Sequence, residues 1–342
     1  MSAKVRQAVV MVGGKGTRLL PLTETHPKII LPVADHPCLW YLLRSLARAG
    51  IEEVILACGY KSEQMRTAIG DGSDLGLNII YSYEDEPLGT CGAMKLVESR
   101  LDDVFVAANG DVFASIDVAA EISRHIETEA SVTISLTPVE NPCEFGIARV
   151  EGDGRISEFK EKPKPEEVFS NLINAGVYVI NRAVLDYVPE KTFFDFSKDL
   201  VPLLMKEGHR IQGFKISGIW MDVGRPHDLL GANLAIAGSE YAGHDWSVNN
   251  SEISGRFYMG AGADVTDSMV NESVLLADSH VAESQLDHVL VMGGCRIDGA
   301  IISNSILGSG CTIGKGAKVS NSVLGDGEII PEGTELDQKR AV

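Results

Sequence analysis

The feature that most constrains the fold is a six-residue repeat of aliphatic side chains in the last third of the chain. Apart from one slip of a single residue the repeat is regular, and its members are Leu307, Ile313, Val319, Leu324, Ile330 and Leu336. An earlier stretch keeps a looser spacing, at Leu276, Val281, Leu286, Val291 and Ile297. Short strands that each send one aliphatic residue inward, with glycine nearby, stack into a parallel β-helix. A generic β-rich domain is the alternative, but it does not explain the regular period between Ile301 and Leu336.

The part of the chain at 1–236 follows a different pattern, in which short apolar runs alternate with helical stretches. Four runs predict strands, at Val5–Val12, Glu53–Ala57, Asn78–Tyr83 and Val104–Ala108. Three stretches predict helices, at Cys38–Ala49, Thr90–Arg100 and Asp117–Glu127. The alternation indicates an α/β fold with a Rossmann-like, mostly parallel sheet that binds ligands at the carboxyl ends of its strands. We therefore expect one domain at 1–236, a linker at 237–247 and a β-helix domain at 248–342.

Composition excludes several kinds of partner. The chain has 342 residues, with 48 acidic against 30 basic side chains and a net charge of −18. Because this field repels nucleic-acid backbones and anionic lipid, we expect no nucleic-acid or membrane partner. The six cysteines form no C-x-x-C pair, and no apolar run nears the ~20 residues that span a bilayer. We expect a cytoplasmic protein in a reducing compartment, without disulfides or a zinc site.

A glycine-rich turn follows the first predicted strand, in the sequence AVVMVGGKGTRLLPL at residues 8–22. It is not a P-loop, because a lysine separates the second and third glycines. It is not a dinucleotide fingerprint either, because Leu19 replaces the last glycine and Pro21 interrupts any helix that begins there. We expect the amides of Gly13, Gly14 and Gly16 to form an anion-binding nest.

Two basic side chains supplement this turn. Arg18 offers a planar fork of donors that suits phosphate oxygens. Ten residues later, Lys28 lies between Pro27 and Pro32, which restrict the backbone on both sides of the lysine. A simple tight turn requires neither feature, so this stretch indicates a binding site for a phosphorylated ligand.

The whole constellation resembles the sugar-1-phosphate nucleotidyltransferases, also called nucleotide-sugar pyrophosphorylases. The resemblance is carried in order by G-G-K-G-T-R-L-L-P-L-T, P-K-I-I-L-P-V and L-G-T-C-G-A, and it extends through most of the predicted first domain. It implies an enzyme that joins a nucleoside triphosphate to a sugar 1-phosphate and releases pyrophosphate. It also implies a left-handed β-helix of hexapeptide repeats in the tail. The chain departs from the family pattern at Val12, Ile29 and Cys91, and at Asp35-His36, where Gly-Lys is common.

The resemblance assigns residues to the chemistry. In such a reaction the sugar phosphate attacks the α-phosphorus while pyrophosphate leaves in line, so the protein positions the substrates and neutralises charge. The implied catalytic residues are Arg18, Lys28, Asp111 and Asp222, with Mg²⁺ held by the two aspartates. Asp111 follows a predicted strand, and Asp222 lies inside an apolar run where an unpaired carboxylate is costly. Thr17 joins the glycine turn as a nucleotide contact.

The resemblance also implies where the sugar phosphate binds. The stretch FKEKPKP supplies Glu161 for sugar hydroxyls and Lys162 for the phosphate, although a solvated charged loop explains this stretch when it is taken alone. The expected contacts are completed by Asn174 in NLINAGVYVI, by the backbone of Gly146 in CEFGIA, and by Asn109.

The base preference rests on Glu84 in YSYEDEPLGTCGAM, where relatives that use uridine or thymidine commonly have Gln. A carboxylate only accepts hydrogen bonds, which suits the adjacent N1–H and 2-amino donors of guanine. Gly89 and Thr90 follow as nucleotide contacts, and Gly89 lets the backbone approach the nucleoside closely. The stretch E-D-E-P-L-G-T resembles the mannose-1-phosphate guanylyltransferases, which favours GTP and mannose 1-phosphate as substrates.

Two alternatives stay open. One is an enzyme that uses UTP or dTTP with glucose 1-phosphate. The other is a regulatory paralogue that binds a nucleotide sugar without turnover, although such a protein has no need of the aspartate pair Asp111 and Asp222. In each case we expect the β-helix to be an assembly module that makes the protein a homo-oligomer, because a solenoid buries its ends best against neighbours.

Overall fold

The computed structural model describes residues 4–14, 16–58, 62–237 and 246–339. These residues form two compact units. The first comprises the described parts of Met1–Gly14 and Leu39–Trp220, and the second comprises those of Lys15–Cys38 and Met221–Val342. Most of the predicted linker, residues 238–245, lies outside the described residues.

Strands and helices are numbered in chain order. The strands are β1 (Gln7–Met11), β2 (Pro32–Val33), β3 (His36–Pro37), β4 (Glu53–Cys58), β5 (Asn78–Tyr83), β6 (Val104–Asn109), β7 (Val112–Ile116), β8 (Val132–Pro138), β9 (Gly146–Val150), β10 (Ile156–Glu161), β11 (Leu172–Asn181), β12 (Ile211–Lys215), β13 (Gly218–Asp222), β14 (Ser247–Asn249), β15 (Glu252–Ser254), β16 (Tyr258–Met259), β17 (Asp264–Thr266), β18 (Met269–Asn271), β19 (Val274–Leu275), β20 (His280–Ala282), β21 (Gln285–Val291), β22 (Arg296–Asp298), β23 (Ile301–Leu307), β24 (Thr312–Ile313), β25 (Lys318–Ser320), β26 (Val323–Leu324), β27 (Ile329–Ile330) and β28 (Glu335–Asp337). The α-helices are α1 (Leu22–Thr25), α2 (Cys38–Arg48), α3 (Ser62–Ile69), α4 (Gly89–Val97), α5 (Val118–Thr128), α6 (Val201–Lys206) and α7 (Pro226–Ile236).

The first unit is built on a mixed sheet with the order β10-β9-β11-β6-β1-β4-β5, to which β8 and β12 are added beside β11. The strands β6, β1, β4 and β5 are parallel, which confirms the α/β prediction. Helices α2, α3 and α4 connect them in turn. Strand β11 runs antiparallel to β6, β8 and β9, which the sequence pattern did not predict. Antiparallel neighbours need no crossover helix, so the strand–helix alternation does not reveal them.

Local sequence explains why these elements form. In β1, Ala8, Val9 and Val10 are fully buried, as expected for a parallel strand covered on both faces. Helix α2 begins directly after Pro37 and ends before Gly50, whose φ of +86° suits a glycine after a helix. Helix α5 begins at Val118 because the side chain of Asp117 accepts a hydrogen bond from the backbone N–H of Ala120.

The second unit contains a parallel β-helix, as the six-residue repeat predicted. Its strands stack so that one inward column runs through Val265, Val281, Ile297, Ile313 and Ile330. Successive coils are not all of the same length, because the step from Ile313 to Ile330 is longer by a single residue than the step from Val281 to Ile297. Along this column the shorter coils come first and the longer coil comes last, which explains why the spacing is looser in the first half of the repeat. Even the longer coil falls one residue short of three six-residue steps, which explains the slip.

One detail of the predicted repeat is wrong. The inward column before Val291 contains Leu275, which pairs with Val291, and not its neighbour Leu276. Both leucines are buried, so the sequence offered no means of choosing between them. Among the described residues no cysteine forms a disulfide, and Cys295 and Cys311 are buried within the β-helix.

Candidate functional site

The predicted site residues belong to both compact units. The first unit contains Gly13, Gly14, Glu84, Gly89, Thr90, Asn109, Asp111, Gly146, Glu161, Lys162 and Asn174. The second contains Gly16, Thr17, Arg18, Lys28 and Asp222. Lys15, the lysine within the glycine turn, lies outside the described residues.

In the second unit, Gly16 of the glycine turn packs against Lys28. Gly16 has a φ of +62° and precedes a single 3-10 turn, Thr17–Leu19. A Cβ at Gly16 would lie 3.0 Å from Cγ2 of Thr23 and 3.1 Å from Cβ of Lys28. Glycine is therefore required here both by the backbone conformation and by the close packing. The side chains of Thr17 and Arg18 are exposed, as a phosphate contact requires.

Lys28 and Asp222 lie beside each other. Nζ of Lys28 is 3.7 Å from Oδ1 of Asp222, and the two side chains are 12% and 29% exposed. Asp222 is the last residue of β13, so the sequence-based interpretation of it as a strand-interior carboxylate is wrong; the strand ends there because Gly224 and the start of α7 follow. A lysine and a carboxylate this close attract each other, and both remain within reach of solvent.

In the first unit, Gly13 and Gly14 follow β1 at its carboxyl end and are exposed, with a φ of +118° at Gly14. The adjacent strand β6 ends at Asn109, which pairs in register with Met11. Asp111 comes two residues later, in the turn before β7. The predicted placement of Asp111 at the carboxyl end of a parallel strand is confirmed, and this is the edge at which α/β sheets bind ligands.

Glu161 and Gly146 lie opposite each other in the antiparallel pair β9–β10. A Cβ at Gly146 would lie 2.7 Å from Oε2 of Glu161, so the glycine leaves room for the carboxylate. Burial raises the pKa of Glu161, while the positive charge of the neighbouring Lys162 opposes the shift. A half-buried carboxyl group of this kind is suited to hydrogen bonding with hydroxyl groups.

Asn174 is held in place by contacts within the first unit. Its Nδ2 donates to the hydroxyl oxygens of Tyr178 at 2.9 Å and Ser197 at 3.1 Å, and its Oδ1 accepts from the N–H of Gly176 at 2.9 Å. The hydroxyl group of Ser197 also acts on Glu161, whose pKa it lowers slightly against the effect of burial. The structure therefore links Asn174 to Glu161 through Ser197, a residue that the sequence analysis missed.

Three predicted nucleotide residues of the first unit lie close together in the chain, with Glu84 in the loop before α4 and Gly89 and Thr90 in the first turn of that helix. Oε2 of Glu84 accepts a hydrogen bond from the backbone N–H of Leu88 at 3.0 Å. Gly89 has a φ of +74°, and a Cβ there would lie 2.8 Å from the carbonyl oxygen of Phe194. Thr90 accepts from the N–H of Phe196 at 2.8 Å. Glu84 therefore fixes the loop in which it lies, and the start of α4 is pinned to residues 194–196.

The segment at residues 194–198 is the main part of the site region that sequence reasoning did not find. It contacts Thr90 through Phe196, and it contacts both Glu161 and Asn174 through Ser197. One signal was present: the side chain of Asp195 accepts from the N–H groups of Ser197 and Lys198, which is a helix N-cap that the sequence D-F-S-K allows. An N-cap predicts where a helix begins, but it does not indicate which distant residues that helix contacts.

Among the described residues, no group of three or more His, Cys, Asp or Glu side chains could hold a metal ion. Mg²⁺ in phosphate-transferring sites is commonly bound by one or two carboxylates together with substrate phosphates. Asp111 and Asp222 offer such carboxylates. Separately, in the described part of the chain no helix combines the length and apolar character that crossing a membrane requires.

Comparisons with known proteins identify the families of both parts of the chain. Residues 7–239 match the model of the family described as nucleotidyl transferase. Residues 277–341 match the family described as GlmU-like, C-terminal hexapeptide. Among solved structures, a putative glucose-1-phosphate thymidylyltransferase from Bacillus anthracis superposes with a TM-score of 0.62 over 68% of this chain and 95% of that chain, at 24% identity, which shows a common fold.

Curated relatives carry two kinds of name. A mannose-1-phosphate guanylyltransferase of Mycobacterium tuberculosis is 40% identical over 225 residues, which cover 65% of this chain but only 62% of that protein. A probable mannose-1-phosphate guanylyltransferase 3 of Oryza sativa subsp. japonica is 33% identical, covering 90% of this chain and 88% of that protein. A UTP–glucose-1-phosphate uridylyltransferase of Synechocystis sp. is 29% identical, covering 82% of each.

Proposed function

The chain belongs to the nucleotidyl transferase family, and on this premise we propose that it makes a nucleotide sugar from a nucleoside triphosphate and a sugar 1-phosphate, with release of pyrophosphate. The observation that carries the proposal is the pair formed by Lys28 and Asp222, whose Nζ and Oδ1 atoms are 3.7 Å apart. Lys28 also packs against Gly16, the last glycine of the glycine turn. A cation next to a carboxylate suits a site that must bind both phosphate and a metal ion.

In the proposed reaction the protein neutralises and positions negative charge. The amides of Gly13, Gly14 and Gly16, with Thr17, bind phosphate oxygens of the triphosphate. Arg18 and Lys28 offset the charge that develops on the pyrophosphate leaving group. Covalent chemistry by a protein side chain is not required, because holding the two phosphates in line removes much of the barrier.

Magnesium is part of the proposal. Asp111 and Asp222 would hold the ion, and when bound it would withdraw charge from the phosphate oxygens. Lys28 lies beside Asp222, so the cation proposed to neutralise phosphate is adjacent to a carboxylate that would hold the ion.

The sugar 1-phosphate is assigned to residues of β9, β10 and β11. Glu161 binds sugar hydroxyls, and the half-buried state of its carboxyl group supports this role. Lys162 binds the phosphate, and Gly146 and Asn109 provide close contacts. Asn174 is assigned to the same region, where it would act partly by holding Ser197 against Glu161.

We propose GTP and mannose 1-phosphate as the substrates. Glu84 supports guanine because a carboxylate accepts from two adjacent donors. The names of relatives at 33–40% identity point the same way. A second candidate, UTP or dTTP with glucose 1-phosphate, is favoured by one specific observation, the Synechocystis relative aligned over 82% of this chain. We also propose that the protein is a homo-oligomer that associates through its β-helix.

The deciding experiment is a pyrophosphate-release screen of GTP, UTP, dTTP, ATP and CTP against mannose 1-phosphate and glucose 1-phosphate. We expect the highest kcat/KM for GTP with mannose 1-phosphate.

We also expect Lys28→Ala and Asp111→Asn each to lower kcat by about 100-fold or more. The matched control is Lys315→Ala, which removes an exposed lysine paired with Glu283 on the β-helix and leaves the rate unchanged. No release from any pair, or near-wild-type rates in both site variants, refutes the proposal.

A further inference from the structure

The segment that carries Lys28 has little regular structure of its own. We call residues 16–37 the lysine loop. Its longest helix or strand is α1, with four residues, and the rest consists of two 3-10 turns and the short strands β2 and β3. Such a segment does not hold a side chain in one position unless neighbouring elements fix it. The lysine loop belongs to the same compact unit as the β-helix.

One fixed point is the tight turn between β2 and β3, a few residues after Lys28. Ala34 in this turn has a φ of +49°, a left-handed conformation that is unfavourable for a residue with a Cβ. The fully buried side chain of Asn233 in α7 accepts from the N–H of Ala34 at 2.8 Å and donates to the carbonyl oxygen of Pro32 at 3.1 Å. Strain of this kind persists only where the surroundings determine the backbone, so Asn233 fixes the turn.

The same turn is also held by a coil of the β-helix. The hydroxyl group of Tyr258, in β16, donates a hydrogen bond to the carboxylate of Asp35. Tyr258 is buried, and burial together with the neighbouring carboxylate raises the pKa of its hydroxyl group, which therefore remains a donor. A Cβ at Gly260 would lie 2.9 Å from Oδ1 of Asp35, so the glycine leaves room for this contact.

A contact on the other side of Lys28 comes from a later coil. Oδ2 of Asp326 accepts from the hydroxyl group of Thr25 at 2.8 Å and lies 3.0 Å from Nε2 of His26. The other oxygen of Asp326 accepts from the N–H of Ser309 at 2.8 Å, so the carboxylate is itself anchored to the coil. The lysine loop is thus tied to the β-helix both before and after Lys28.

We propose that Asn233, Tyr258 and Asp326 form a clamp through which α7 and the β-helix position Lys28 against Asp222. The clamp residues are positioning residues, because they hold the backbone on both sides of the lysine. Helix α7, which holds the turn through Asn233, begins only four residues after Asp222 in the chain. This role of the β-helix rests on the proposed function, in which Lys28 binds phosphate, and it adds to the proposed assembly role.

The test compares variants of the full-length protein that remove one hydroxyl or one carboxylate. Tyr258→Phe and Asp35→Ala delete the two partners of one contact, whereas Asp35→Asn keeps an acceptor for the tyrosine. The matched control is Tyr187→Phe, which removes a hydroxyl group bonded to Nε2 of His209 at 2.9 Å in the first unit. Each variant is measured for kcat, KM, thermal unfolding, and hydrogen–deuterium exchange of the amides of residues 28–38 without ligand.

We expect Tyr258→Phe and Asp35→Ala to speed exchange at residues 28–38 by about tenfold, the effect of losing one hydrogen bond to a charged group. We expect kcat to fall by about tenfold or more, with KM for the triphosphate nearly unchanged, because misplacing a catalytic group affects the transition state most. Asp35→Asn restores most of the rate, and Tyr187→Phe changes neither measurement.

The outcomes separate the clamp from the proposed function. Unchanged exchange in Tyr258→Phe overturns the clamp whether or not the protein is active. Faster exchange with an unchanged kcat also overturns it, since the contact then does not position Lys28. A fall in kcat that merely follows a lower unfolding temperature, and that Tyr187→Phe reproduces, overturns it as well. A wild-type protein that is inactive with every substrate pair refutes the proposed function, and faster exchange in that case still supports the clamp as a structural contact.

Discussion

Glu121 offers a prediction whose magnitude follows from its surroundings. It lies on α5 and is fully buried. Its Oε2 accepts a hydrogen bond from the hydroxyl group of Ser135 at 2.6 Å, while Oε1 has no hydrogen-bond partner among the described residues. Burial raises the pKa of Glu121 from its ordinary value of 4.5 to about 8. Glu121 is therefore neutral in the folded protein at pH 7 and ionised in the unfolded chain.

The sign of the pH dependence follows from this difference. Because the folded state holds the proton more tightly, folding takes up a proton between pH 4.5 and about 8. The free energy of unfolding therefore falls as the pH rises through this window and is level above it. At about 1.4 kcal/mol per pH unit the full effect is about 5 kcal/mol, and relaxation around the ionised group reduces it to about 2–5 kcal/mol.

The assay is urea unfolding of the wild type and of Glu121→Gln at several values between pH 5 and pH 9. In a Trp246→Phe background, fluorescence comes from Trp40 and Trp220, which both belong to the first unit. Because the assay samples this window only from pH 5 upward, we expect the stability of the wild type minus that of Glu121→Gln to fall by about 2–4 kcal/mol across the range. His125 lies on the same helix, and burial lowers its pKa, so its contribution to the free energy of unfolding is lost as the pH falls below 6.5. Because both proteins contain His125, this contribution cancels in the difference. Parallel stability curves for the two proteins would refute the reasoning.

Three further predictions concern the site. Glu84→Gln should lower kcat/KM for GTP relative to UTP by about tenfold, because one hydrogen bond to a charged group is lost, and an unchanged ratio means that the base is recognised elsewhere. Gly146→Ala should raise KM for the sugar 1-phosphate, since the new Cβ would lie 2.7 Å from Oε2 of Glu161. The control is Gly152→Ala, whose Cβ meets nothing within 4 Å, and equal KM values in the two variants contradict the assignment. Arg18→Ala should make KM for the triphosphate depend less on salt concentration, because salt screens the attraction between an exposed arginine and a phosphate. A salt dependence equal to that of the wild type excludes a phosphate contact.

The sequence predicted the parts of the fold that depend on local pattern. The parallel strands were found because strands covered on both faces must be apolar throughout, as in β1 and β6. The stacked columns of the β-helix were found because one aliphatic residue must point inward on each face. The carboxyl-end position of Asp111 followed from the strand before it. The oligomer, the metal ion and the cytoplasmic location stay predictions.

The parts that could not be predicted depend on contacts between distant residues. Strand β11 lies antiparallel between β6 and β8, and no local pattern distinguishes its strand direction. Ser197 reaches Asn174 across 23 positions in the chain. Tyr258 reaches Asp35 across 223 positions, and neither residue has a sequence signature that points to the other. Asp35 was noticed only as a departure from a family pattern, and its effect required the fold to be known.

A physical reason for combining two architectures in one chain follows from these contacts. A turn rich in glycine and exposed side chains gives phosphate oxygens access to backbone amides, but the same openness leaves it poorly fixed. Catalysis by charge neutralisation requires the opposite, a cation held within a fraction of an ångström, which is reached most readily on rigid elements. The β-helix is rigid because each coil pairs along its length with the next and encloses a column of buried aliphatic residues. Attaching the lysine loop to two separate coils, at Tyr258 and Asp326, lets an open loop carry Lys28 with the precision of a packed core.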